Sequence, residues 1–139
     1  MATMVVSGRY DNLVKIGDFV RQAAQDAGLD SFSVYQVETA VDEACTNIIE
    51  YAYGKEGAGD IECTCQATPS QFVVILRDWG KPFNPRKIHP PNLKAPLKKR
   101  QAHGLGLHFI RQWMDEVDFQ FTGETGNVLT MVKHKEKTG

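Results

Sequence analysis

Glu43 and Asn47 stand one helical turn apart in a segment whose apolar residues, Val34, Val37, Val41, Ala44 and Ile48, recur at three- and four-residue spacings. At i and i+4 they share a helix face, and at about 100° per residue they fall along one edge of the apolar stripe. A carboxylate in that place can take a proton from a nucleophile, and an amide oxygen can ligate Mg²⁺, which prefers hard oxygen donors. The pair alone is not specific, because an ordinary helix flank carries Glu-x-x-x-Asn as readily. Asp78 follows the continuously apolar run 72–76, where a strand leaves the core. Its carboxylate can accept a hydrogen bond from an exocyclic amine such as that of adenine, and Gly80 lets a ligand approach the backbone. A plain turn at a strand end also uses Asp and Gly. Gly104, Leu105, Gly106 and Leu107 open a third helix, whose free amides and dipole favour phosphate. Lys98, Lys99 and Arg100 just before it offer cations, or form a solvated basic patch. Two familiar phosphate loops are excluded: the chain has no Gly-x-x-x-x-Gly-Lys-Ser/Thr, and Phe109 stands where a third Rossmann glycine would be.

The elements that must position these groups can be read from period and punctuation. Residues 2–8 alternate weakly into a first strand. Asp11 or Asn12 is expected to cap a helix with Leu13, Ile16, Val20, Ala23 and Ala27 on one face, closed by Gly28. Ser33 and Gln36 form a capping-box pattern that opens the second helix, which ends near Gly54. Ile61, Cys63, Cys65 and Ala67 alternate with polar neighbours into a half-buried strand, and Thr68, Pro69 and Ser70 turn it into the run 72–76. Prolines 82, 85, 90, 91 and 96 then break regular structure over a connection long enough to be functional. Phe109, Ile110, Trp113 and Met114 are expected to form the buried face of the third helix. Val117, Phe119 and Phe121 alternate into a strand that turns at 122–126 and returns over 128–133. The order predicts an α+β two-layer sandwich, with helices on one face of a largely antiparallel sheet.

Composition narrows the function classes. The 139 residues are 42% hydrophobic and 24% charged, the makeup of one globular domain over 1–139. A net charge of −1 provides no electrostatic pull toward nucleic acid or an anionic membrane. No apolar run approaches the roughly 18 residues needed to span a bilayer. Residues 1–8 lack the regions of a signal peptide, so a soluble cytoplasmic protein is expected. Cys45, Cys63 and Cys65 are an odd set without a Cys-x-x-Cys pair, which reads as free thiols and not as a zinc site. His89, His108 and His134 have no metal-ligand spacing.

The combination is far more specific than its parts. Residues 41–53, with Glu43, Asn47, Tyr51 and Tyr53, resemble the N box of the anti-sigma-factor serine/threonine kinases, a branch of the histidine-kinase-like ATPase (GHKL) superfamily. Residues 78–85 resemble its G1 box, and Gly104 through Leu107, with Ile110, Arg111 and 114–117, resemble its G2 box and the helix after it. Ala95, Pro96 and Leu97, and 126–130 near the end, are also like the family. The resemblance implies a Bergerat fold with an ATP site beneath the helical layer. It makes Glu43 the general base, Asn47 the Mg²⁺ ligand and Asp78 the acceptor for the adenine amino group, with Gly80 beside the base and Thr130 adding a hydrogen bond. The 104–107 backbone and Arg100 would hold phosphates, and residues 84–103 would be the ATP lid. The implied activity is phosphorylation of a serine on a STAS-domain anti-anti-sigma protein. The implied partners are that protein, a sigma factor or both, with a homodimer also open. A non-catalytic ATP-sensing module that sequesters a sigma factor fits the same residues. So, less well, does an ATPase module of a sensor histidine kinase. Intact Glu43 favours the enzyme, since a pure binding module needs no base. The chain departs from the family pattern at Tyr51, Asn84 and His103, and Lys15 only loosely matches a substrate-binding basic residue of the first helix.

Overall fold

The apolar run 72–76 lies in the central strand of the sheet, with a partner strand on each side. In the computed structural model, which describes residues 1–83, 110–122 and 124–135, the elements are β1 (Ala2–Ser7), α1 (Leu13–Asp26), α2 (Ser31–Asn47), β2 (Asp60–Ala67), β3 (Gln71–Asp78), β4 (Glu116–Thr122) and β5 (Gly126–His134). The strand order is β1-β2-β3-β5-β4, and every neighbouring pair is antiparallel. Alternation along β3 places Phe72, Val74, Leu76 and Asp78 on the helix-facing side. The apolar members of that set join Ile16, Val20 and Ala24 of α1, Val37, Val41 and Ala44 of α2, and Leu129 and Met131 of β5 in one core. The expected two-layer α+β sandwich is therefore the observed fold.

The helix starts differ from the sequence reading. Neither Asp11 nor Asn12 caps α1. A short 3₁₀ turn, Tyr10–Asn12, leads into it, Asn12 is itself helical, and its side-chain amide donates to the Ser7 carbonyl at 2.9 Å. The N-cap of α2 is Asp30, three residues before the expected Ser33. Asp30 has extended backbone and its Oδ1 accepts from the Ser33 amide at 2.7 Å. That bond holds the Asp30 carboxyl below its ordinary range. Aspartate is as good a cap as serine, and the earlier start adds a turn. Trp113 is only half-buried, against Tyr35 at 5.8 Å between ring centroids, whereas Ile110 and Met114 are buried as expected. Phe109 lies outside the described residues.

Beyond Asn47 the helix continues as a π-helical segment, Ile48–Tyr53, which buries Ile48, Ile49 and Ala52 and ends on Gly54 at φ +79°. Such widened turns occur mostly where function constrains a helix. This one sets the approach of α2 to the end of β3.

Candidate functional site

Asn47 is the last residue of α2 and Asp78 the last of β3, and each is only 3% exposed. Between them opens a cleft of about 350 Å³. Asn47, Asp78 and Asn127 are its polar lining, and Ala44, Ile48, Phe83, Phe119 and Leu129 are among its apolar walls. A few polar groups converging in a largely apolar cleft is the usual form of a small-molecule site. The aromatic side is continuous: Phe83 lies 5.7 Å from Tyr51 and 6.0 Å from Phe121, and Phe121 lies 6.2 Å from Phe119. A larger groove of about 980 Å³ runs between α1 and α2, but its arginine, Arg21, is already paired with Asp18 and Glu38.

The polar groups of the cleft are incompletely used. The Asn47 Oδ1 is buried without a hydrogen-bond partner. Asp78 Oδ1 accepts from the Gly80 amide at 2.9 Å and from Asn127 Nδ2 at 2.8 Å, and among the described residues no hydrogen bond reaches Oδ2. Burial raises the Asp78 carboxyl above its ordinary range, and those two donors offset part of the rise. An orphaned acceptor and a desolvated carboxylate are both costly in the empty protein. A ligand that supplies donors or a cation relieves both.

The loop after β3 is held by close backbone packing. Gly80 was expected to admit a ligand, but what requires glycine there is the π-helical segment. A Cβ on Gly80 would lie 2.6 Å from the Ala52 carbonyl carbon and oxygen, and the Lys81 amide donates to that oxygen at 2.7 Å. Tyr53 Oη accepts from the Trp79 amide at 3.0 Å and donates to the Asp60 carbonyl at 2.5 Å. The helix that carries Asn47 and the strand that carries Asp78 are thus joined directly.

The remaining expected residues divide. Glu43 stands one turn before Asn47, half-buried, and is not part of the cleft wall. Burial first, and the adjacent Asp42 second, raise its carboxyl and make it a stronger base than a free glutamate. Thr130 is not brought to the cleft. It pairs with Ile75 on the strand face opposite Leu129 and Met131, because side chains alternate and its neighbours point into the core. The position that faces Asp78 is Asn127, directly across in register. Sequence reading passed over it because a Gly-Asn pair at a strand start looks like turn punctuation. Only the β3–β5 register identifies it. Arg100, Gly104, Leu105, Gly106, Leu107 and the expected lid at 84–103 lie outside the described residues.

A five-stranded antiparallel sheet with α1 and α2 on one face, and a polar-tipped cleft where α2 meets β3, defines a class. The chain belongs to the histidine kinase-like ATPase domain family, whose model matches residues 6–133. Its relatives include the serine-protein kinases RsbW of Bacillus thuringiensis (strain Al Hakam) and Bacillus cereus (strain 03BB102). Each is 30% identical over 108 residues, which are 75% of this chain and 66% of the relative. RsbW of Bacillus cereus (strain AH187) is 28% identical over 118 residues, 82% of this chain and 72% of the relative. Among solved structures, the RsbU and RsbW domains of Rv1364c from Mycobacterium tuberculosis superpose with a TM-score of 0.63 at 12% identity, over 98% of this chain and 33% of that one. The catalytic domain of histidine kinase ThkA gives 0.54 at 14% identity, over 97% of each chain. These structural likenesses are of fold. Membership in an ATPase-domain family implies that the chain uses ATP.

Proposed function

We propose that this chain is an ATP-dependent protein serine kinase acting on a STAS-domain anti-anti-sigma protein, with the nucleotide in the cleft between α2 and β3. The observation that carries the reading is the convergence on one cleft of Asn47, whose Oδ1 is buried without a hydrogen-bond partner, and the buried carboxylate of Asp78. That the chain's relatives are serine-protein kinases supports the choice of serine as acceptor. Asp78 would accept from the adenine amino group, and the aromatic side would cover the base. Asn47 would hold Mg²⁺ through its orphaned oxygen. Mg²⁺ commonly takes one or two protein oxygens and the rest from phosphates and water, so a single amide oxygen is enough for that role. When bound, Mg²⁺ would neutralise phosphate charge. Glu43 would take the proton of the incoming serine hydroxyl, and its raised proton affinity suits that task. Arg100 and the backbone of Gly104, Leu105, Gly106 and Leu107 are proposed for the phosphates, from sequence alone. A sigma factor as second partner, a homodimer and a cytoplasmic setting belong to the same reading. No helix among the described residues is long and apolar enough to cross a membrane.

The reading is tested by incubating the chain with a cognate STAS protein and labelled ATP, where label on a serine of that protein is expected. Binding of the partner without labelling would move the function to the ATP-sensing module. A variant probes the metal role separately. Asn47→Leu removes the orphaned acceptor with little change in volume, so the ligand-free protein is expected to gain about 1 kcal/mol of stability. The same variant is expected to lose the magnesium dependence of ATP binding. A thermal melt with and without MgATP measures both.

A further inference from the structure

Asn127 is 5% exposed, and both of its N–H donors are spent inside the protein. One goes to Asp78 Oδ1 at 2.8 Å and the other to the Gly80 carbonyl at 3.1 Å. The preceding residue reinforces this arrangement. Gly126 has φ +92°, and a Cβ there would lie 2.5 Å from the Asp78 carbonyl oxygen, so β5 begins pressed against the end of β3. Asp78 Oδ1 receives two donors, from Asn127 and from the Gly80 amide, and its acceptor capacity is filled. Among the described residues that line this end of the cleft, the polar groups left for a ligand are then acceptors, Asp78 Oδ2 and Asn127 Oδ1. Asn127 cannot swing its amide round to donate to a ligand without giving up two internal bonds.

We infer that Asn127 is a positioning and specificity-determining residue: by consuming its own donors on Asp78 and Gly80 it presents the base with an acceptor-only edge, which selects nucleotides bearing an exocyclic amine and rejects those with a carbonyl there. The inference rests on the proposed nucleotide reading and adds to it a residue and a cause of selectivity. An amino group brings two donors to two acceptors. A carbonyl oxygen in the same place faces two acceptors and leaves all three unmatched, and sites that lose a matched polar contact reject such analogues strongly.

The test compares ATP with inosine triphosphate, in which oxygen replaces that amine, by calorimetric titration of the whole chain and two variants. Wild type is expected to prefer ATP by ~100-fold or more. Asn127→Leu removes the amide that orients the carboxylate, and ATP affinity is expected to fall at least ~10-fold. Its preference over inosine triphosphate should fall below ~10-fold. Asn127→Asp keeps the size but sets two carboxylates within hydrogen-bond distance, where they hold one proton between them and leave the Gly80 carbonyl without its N–H donor. Its preference should relax as well, through weaker binding of ATP to a carboxylate that has lost its orienting amide. Thermal melts establish that each variant is folded before the ratio is read, and Asn127→Asp serves if the leucine variant does not fold. A folded variant with the wild-type ratio overturns the role of Asn127 and leaves the nucleotide site standing. Wild type that binds neither nucleotide overturns the nucleotide reading, and this inference with it.

Discussion

Glu43→Gln is expected to slow phosphate transfer to the partner serine by ~100-fold or more while ATP binding stays near wild type. A serine hydroxyl is a weak nucleophile at neutral pH, and a carboxylate within reach that accepts its proton is worth that much. Glu43 is placed for this role by helix geometry, one turn from Asn47 on α2, and its partial burial strengthens it as a base. It is not part of the cleft wall, so the substitution leaves the base-binding end intact. Positioning and charge stabilisation supply most of phosphoryl-transfer catalysis, which is why residual activity is expected. Single-turnover labelling of the STAS protein, beside a calorimetric ATP titration, separates the two effects. Equal labelling rates in variant and wild type would remove Glu43 from the mechanism.

Asp78→Asn is expected to cost ~100-fold in ATP affinity and to make the ligand-free protein more stable at neutral pH. The affinity loss follows from turning an amide donor toward the donor of the base. The stability gain follows from the sign of the shift. Burial raises the folded-state carboxyl above its unfolded value. Its contribution to stability is therefore present below the unfolded value and lost as pH rises through the folded one. At neutral pH the buried charge is a net cost that asparagine does not carry, and the new side chain keeps an oxygen for the Gly80 amide and Asn127. The advantage of the variant should shrink as pH is lowered into the acid range, where Asp78 is protonated. Melting curves from pH 4 to 8, run without nucleotide, measure it. A variant less stable than wild type at neutral pH, with unchanged ATP affinity, would make Asp78 a structural residue.

Much of this arrangement was legible in the amino-acid text. The period of Val34, Val37, Val41 and Ala44 located α2 and put Glu43 and Asn47 on one face. The unbroken run 72–76 marked β3 as a buried strand, and its end placed Asp78 where that strand leaves the core. What stayed hidden depends on contacts between elements distant in sequence. No periodic signal marks the π-helical segment Ile48–Tyr53, because its residues are as apolar as those of an α-helix. The reason for Gly80 is the backbone of Ala52, which comes near only after that segment forms. Thr130 and Asn127 differ by three positions on one strand, an odd number, so they point to opposite faces. Choosing between them needs the register with β3, which sequence does not supply. The cap of α2 was misread by three residues because Asp30 and Ser33 are both good caps.

The central claim is that the cleft between Asn47 and Asp78 binds ATP with magnesium, and a thermal-shift titration of the whole chain with MgATP tests it most directly. At a hundredfold excess over the dissociation constant the fold should gain about 2.7 kcal/mol, a gain that is lost in Asp78→Asn and falls when magnesium is withheld. A folded wild-type protein whose melting temperature does not move with MgATP at any concentration would contradict it.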